Sequence, residues 1–150
     1  MSDLPDSEKL VEYPNHAVSV TTIFILMVMR TAWRLFHPPP PIPIADGWQK
    51  KAAELAHITL YVLIFVQIGL GMLLASTTSV DFQTPQYGIN YTSWNLVSDA
   101  WHPQILLAHK TCYFLLSTLI VVHILAALKH HFIDGDVVLK RMLPFAKLNK

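Results

Sequence analysis

Charge is what this chain has least of. Only 14% of its 150 residues are Asp, Glu, Lys or Arg, whereas 53% are hydrophobic; a soluble domain carries about 25% charged residues. The balance that remains is a net charge of +1, which gives nucleic acid no electrostatic footprint to bind. Cysteine is nearly missing. Cys112 stands alone, so no intrachain disulfide is possible, and its place in an apolar run makes it a packing residue. The N-terminus is acidic and lacks both a basic stretch and a small-residue cleavage site ahead of the first apolar run, so no signal peptide is expected. Finally, the segment from Thr77 to Pro103 contains no Lys or Arg at all.

What is present is long hydrophobic runs. A membrane-spanning helix needs about 20 largely apolar residues, and three segments qualify: approximately 16–36, 52–76 and 104–129. The chain is therefore expected to be an all-α membrane protein, one membrane domain over residues 1–150, with three transmembrane helices packed as a partial four-helix bundle. The first connection, "HPPPPIPIADGWQKK", carries a proline run that favours a stiff extended conformation. The second, residues 77–103, holds Tyr87, Tyr91, Trp94 and Trp101 and is expected to lie at the membrane interface as a loop or short helix. Its "NYT" at Asn90 fits a glycosylation sequon, a match frequent by chance.

Basic residues orient the spans. Arg30, Arg34, Lys50 and Lys51 flank the first connection, and Lys129 at the end of the third span is followed by Lys140, Arg141, Lys147 and Lys150 in the tail at 130–150. Positive segments stay in the cytoplasm. The second connection, with Asp81 and Asp99, then lies outside, the N-terminus outside and the C-terminus in the cytoplasm.

Histidine is costly in hydrocarbon unless something satisfies it, yet "HKTCYFLLSTLIVVH" opens on His109 and closes on His123. Fourteen helical steps of about 100° stop about 40° short of four turns, so both fall on one face, about 21 Å apart along the axis. That is the arrangement for holding two flat cofactors stacked across a membrane. A haem iron with two axial histidines needs a partner at matching depth. His16 opens the first span at the level of His109. His57, near the inner end of the second span, is level with His123. A zinc site would want several ligands at one depth, a poor fit to two levels of two. Arg30 could pair with a haem propionate or an anionic lipid, whereas Arg34 reads as snorkelling to the headgroups. Lys110 could meet an outer propionate or face the interface. Glu54 shares a helix face with His57. His37 and His102 read as interfacial and structural, and Gln67 with the "GLG" at 69–71 reads as close helix packing.

Three segments carry a specific likeness: "MRTAWRLFHPPPPIP" from Met29 to Pro43, "AAELAHITLYVLIF" from Ala52 to Phe65, and "HILAALKHHFIDGDVVLKRML" from His123 to Leu143. With them the chain, from about His16 to Leu143, resembles the bacterial cytochrome b561 family. The resemblance implies a four-helix protein of the bacterial inner membrane with two b-type haems held by four histidines, passing electrons between quinone and an outer-face partner. Some members oxidise superoxide while reducing ubiquinone. By this likeness His16 and His109 would ligate the outer haem, and His123 the inner one. His57 would match a histidine near the quinone region that is not counted among the ligands, and His130 and His131 would be further candidates for that region.

The chain departs from the family pattern in having no counterpart of the first family helix, which carries the partner of His123. Four readings follow: a truncated form, a helix supplied by another membrane chain, His57 as substitute, or no inner haem. The expected function is membrane b-type haem electron transfer from an outer-face donor, superoxide among the candidates, to ubiquinone. One or two haems b are expected as cofactor, with lipid and quinone as partners and no nucleic acid. An outer loop that is acidic counts against superoxide, although Lys110 could steer an anion. The alternative is a haem-bearing membrane anchor subunit of a larger respiratory or photosynthetic complex.

Overall fold

The computed structural model describes residues 6–38, 47–78 and 82–135. The proline run and most of the basic tail lie outside the described residues. Three long helices dominate: α1 (Asp6–Phe36), α2 (Trp48–Ala75) and α3 (His102–Phe132). Each is long and apolar enough to cross a membrane. Large apolar side chains point away from the protein along all three, as at Met29, Leu55, Leu107 and Phe114, each more than 60% exposed. Surface of this kind is rare on a soluble monomer and calls for lipid.

The helix ends follow local chemistry. Helix α1 begins at Asp6, well before the apolar run, and passes through Pro14. Proline offers no N–H to the carbonyl one turn back. In this helix Ser19, Thr21, Thr22 and Thr31 each give their hydroxyl proton to the carbonyl four residues earlier, at 2.7–2.9 Å. Such bonds satisfy a hydroxyl where water is scarce. Helix α3 starts at His102 with Pro103 in its first turn, where a missing N–H costs nothing. It ends at Phe132, followed by Gly135 in the left-handed region at φ 68°.

Between α2 and α3 the chain makes a hairpin rather than a helix. Strands β1 (Gln83–Thr84) and β2 (Ile89–Asn90) pair antiparallel, Gln83 opposite Asn90 and Thr84 opposite Ile89. Gly88 closes the turn with φ 65°, a conformation glycine adopts without strain. Thr84 is fully buried and bonds the Ile89 carbonyl at 3.1 Å. Single 3-10 turns follow at Thr92–Trp94 and Asp99–Trp101. The Asn90 side chain accepts from the Thr92 and Ser93 amides, which fixes the first of these turns.

The hairpin packs on α1. Tyr91 Oη lies 2.8 Å from Thr21 Oγ1, and Tyr87 Oη lies 2.8 Å from Thr22 Oγ1. Each threonine has one proton, already given to its own helix, so the tyrosine donates in both bonds. Tyr91 is 5% exposed. Tyr91→Phe is expected to cost about 1 kcal/mol. A double-mutant cycle with Thr21→Val checks this, and a coupling near zero would mean that the hydroxyl pair does not anchor the hairpin.

By its internal contacts the chain divides into two compact units. One comprises Met1–Pro38 with Phe65–Cys112, the other Pro39–Ile64 with Tyr113–Lys150.

Candidate functional site

The first unit contains His16, His109, Lys110 and the hairpin. His16 projects from α1 half-buried, its ring edge-on to Phe82 with centroids 6.4 Å apart. Phe82 also packs on Tyr13, at 5.0 Å. His109, near the start of α3, is half-buried as well and belongs to the same unit as His16. Helix α2 meets it from the side. Gln67 Nε2 lies 3.1 Å from His109 Nε2. One turn on, a methyl group at Gly71 would stand 3.3 Å from His109 Cε1. The Nδ1 atom of His109 and the Oε1 atom of Gln67 are buried with no hydrogen-bond partner. Phe24 and Phe65 meet edge to face between α1 and α2, centroids 6.3 Å apart. Cys112, one turn beyond His109, is buried and forms no disulfide.

The second unit contains His57 and His123. Their rings, from α2 and α3, meet edge to face with centroids 5.1 Å apart and planes at 70°. Beyond them, at the end of α3, Asp134 holds Lys129 Nζ at 2.6 and 2.9 Å and lies 3.0 Å from His130 Nδ1. The bonded Lys129 ammonium keeps the Asp134 carboxyl below the usual carboxylate range. Arg30, in the first unit, and Glu54, in the second, are exposed, as is Lys110.

The donor chemistry suits a haem iron. Axial ligation asks for two imidazoles at one level; the rings of His57 and His123 approach each other in the second unit, and His16 and His109 both belong to the first. Among the described residues no group of three or more His, Cys, Asp or Glu converges as a bare metal ion would require. A buried ring nitrogen without a partner, as at His109, costs free energy that coordination or a hydrogen bond would relieve.

Comparison with known proteins gives the same direction. Residues 2–145 match the family model described as prokaryotic cytochrome b561. The chain belongs to this family. It is 34% identical over 125 residues to cytochrome b561 homolog 2 of Escherichia coli strain K12, covering 78% of this chain and 62% of that protein. It is 35% identical over 112 residues to cytochrome b561 homolog 1 of the same strain, covering 73% of this chain and 58% of that protein. The chain thus spans about three fifths of the length of these relatives. Membership of cytochrome b561 makes it a multi-pass protein of the bacterial inner membrane, in a family of b-type haem electron carriers.

His102 and His37 sit in local contacts. His102 Nδ1 lies 2.8 Å from Thr77 Oγ1, whose proton goes to the Leu74 carbonyl, so the imidazole donates. His37 stacks on Trp33 with centroids 3.9 Å apart. Gln67 and Gly71 are the site residues that sequence reasoning placed elsewhere, among the packing groups. Their spacing of four with no polar neighbour was the available signal, since a lone amide on an apolar helix must find a partner.

Proposed function

We propose that this chain is a b-type haem electron-transfer protein that takes single electrons at the outer face of the inner membrane and delivers them to ubiquinone. The observation that carries this reading is the pair His16 and His109, contributed by α1 and α3 to one compact unit. Both come from this polypeptide, so no second chain is needed to complete the outer site. Haem b, when bound, supplies the one-electron redox chemistry.

The protein's part is to hold and shield. His16 and His109 would serve as axial ligands. Phe82 and the docked hairpin cover the His16 side, and Gln67 with Gly71 fixes the His109 side. Lys110 and Arg30 are candidate partners for propionates. The 5.1 Å approach of His57 to His123 favours an inner site formed by these two, giving two haems per chain. The absence of Lys and Arg from residues 77–103 supports an outer position for the donor. That same absence leaves superoxide with little electrostatic steering.

The test is haem per polypeptide by pyridine haemochrome on the purified chain, with a dithionite-reduced difference spectrum and ubiquinone reduction by the reduced protein. Bound b-type haem that is reoxidised by quinone is expected. A chain that binds haem but reduces quinone only with added membrane subunits would favour the anchor-subunit reading.

A further inference from the structure

We propose that His102 binds the outer haem at its rim: Nε2 of the ring shares a proton with a propionate carboxylate, while Thr77 holds the ring from its other nitrogen. The inference rests on the reading of His109 as an axial ligand of that haem. His102 stands seven residues before His109 on α3, in the same unit. Seven helical steps of about 100° stop about 20° short of two turns, so the two histidines share a face, about 10.5 Å apart along the axis. That interval is close to the reach of a propionate arm from its iron. Carboxylates are costly in hydrocarbon, so a haem set near the end of a span turns them towards the nearer membrane surface. From His109 that direction leads to the first turn of α3, which His102 opens.

The ring is set for such a partner. His102 is half-buried, and its Nδ1 lies 2.8 Å from Oγ1 of Thr77, a buried residue just beyond α2. The Thr77 proton goes to the Leu74 carbonyl at 2.8 Å, so Nδ1 carries the proton of the bond between them. This fixes the tautomer. Nε2, on the far side of the ring, is left with a lone pair in the neutral form and an N–H in the imidazolium. Among the described residues no group bonds it. Residues 77–103 contain no Lys or Arg and no second histidine, so His102 is the side chain of that stretch able to carry positive charge to a carboxylate. A purely structural role, tying the start of α3 to the end of α2, is met by Nδ1 and leaves Nε2 unused.

Charge and hydrogen bonds around a haem tune its potential. A carboxylate that has lost its donor favours the oxidised iron, so removal of Nε2 is expected to lower the outer haem midpoint potential. His102→Asn does this while its amide nitrogen, near the place of Nδ1, keeps the bond to Thr77. A tenfold change in the relative affinity for the two oxidation states corresponds to about 59 mV for one electron. His102→Gln, whose longer side chain brings an N–H near the place of Nε2, is expected to stay closer to wild type. The experiment is a redox titration of the full-length holoprotein, with haem content and thermal stability measured on the same samples. It is repeated on protein reconstituted with haem whose propionates are methyl esters. The esters carry no charge, so the difference between wild type and His102→Asn should disappear with them. A wild-type potential in His102→Asn would overturn the inference, as would an equal fall in His102→Gln or a difference that persists with the esters. A tether between helices alone would lower thermal stability and leave the potential in place. His109→Ala separates the two levels: if it keeps the outer haem, the ligand assignment fails, whereas its loss together with unmoved His102 variants sinks this inference alone.

Discussion

His109→Ala and His16→Ala should each cost the chain its outer haem. Removing either imidazole would take away one of the two groups that would hold the iron, and two other histidines of the first unit have contacts of their own: His102 with Thr77, and His37 with Trp33. The expected record is a loss of one haem equivalent per chain by pyridine haemochrome and loss of the six-coordinate low-spin spectrum from that site. Imidazole added in solution should restore part of the spectrum in His16→Ala if the cavity survives. A normal six-coordinate spectrum in both variants would end the assignment. Because the two residues come from different helices, equal losses also test the proximity of α1 and α3 inside the first unit. The separate effect of a disturbed fold is read from the hairpin: its hydrogen exchange should stay close to wild type in His109→Ala, which lies outside it.

The second large effect concerns the inner pair. His57→Ala and His123→Ala are each expected to lower haem content by one equivalent while leaving the outer haem spectrum intact. The ring approach of 5.1 Å motivates this expectation, and the family pattern, which leaves His57 outside the ligand set, opposes it. The two substitutions therefore decide between structure and pattern. If His123→Ala loses a haem and His57→Ala keeps it, His123 has its partner elsewhere and His57 belongs with the quinone region. If neither changes haem content, the chain holds the outer haem alone, and electron transfer across the whole membrane is excluded for it.

Much of this arrangement could be read along the chain, because bilayers impose one strong rule. Backbone polar groups must be satisfied internally, so long apolar runs become helices. The runs within 16–36, 52–76 and 104–129 did so. The helix start at Asp6 was not legible, because "DSEKLVEYPN" is polar and contains Pro14; its helical state depends on the span that follows it. The hairpin was illegible for a different reason. Its strands are two residues each, too short for any alternation to register, and what fixes them is distant: two threonines on α1 that look like ordinary span residues. The separation of His109 and His123 along α3 followed from helical rise. Which groups touch those histidines did not, since Gln67 and Gly71 stand 42 and 38 positions before His109 in a different helix, and nothing local marks the contact.

The tyrosine–threonine bonds also bear on the order of events in folding. They join residues 70 and 65 positions apart. A contact of that separation is expensive to close early, since the intervening chain must give up its freedom first. Docking of the hairpin is therefore expected to come late, after the helices it bridges have formed, and to contribute little to the rate-limiting barrier. Interactions made after the barrier act on the escape rate rather than the approach. Loosening Tyr91 or Tyr87 should then shorten the lifetime of the assembled protein while leaving its rate of assembly nearly as before, which makes this small hairpin a kinetic latch.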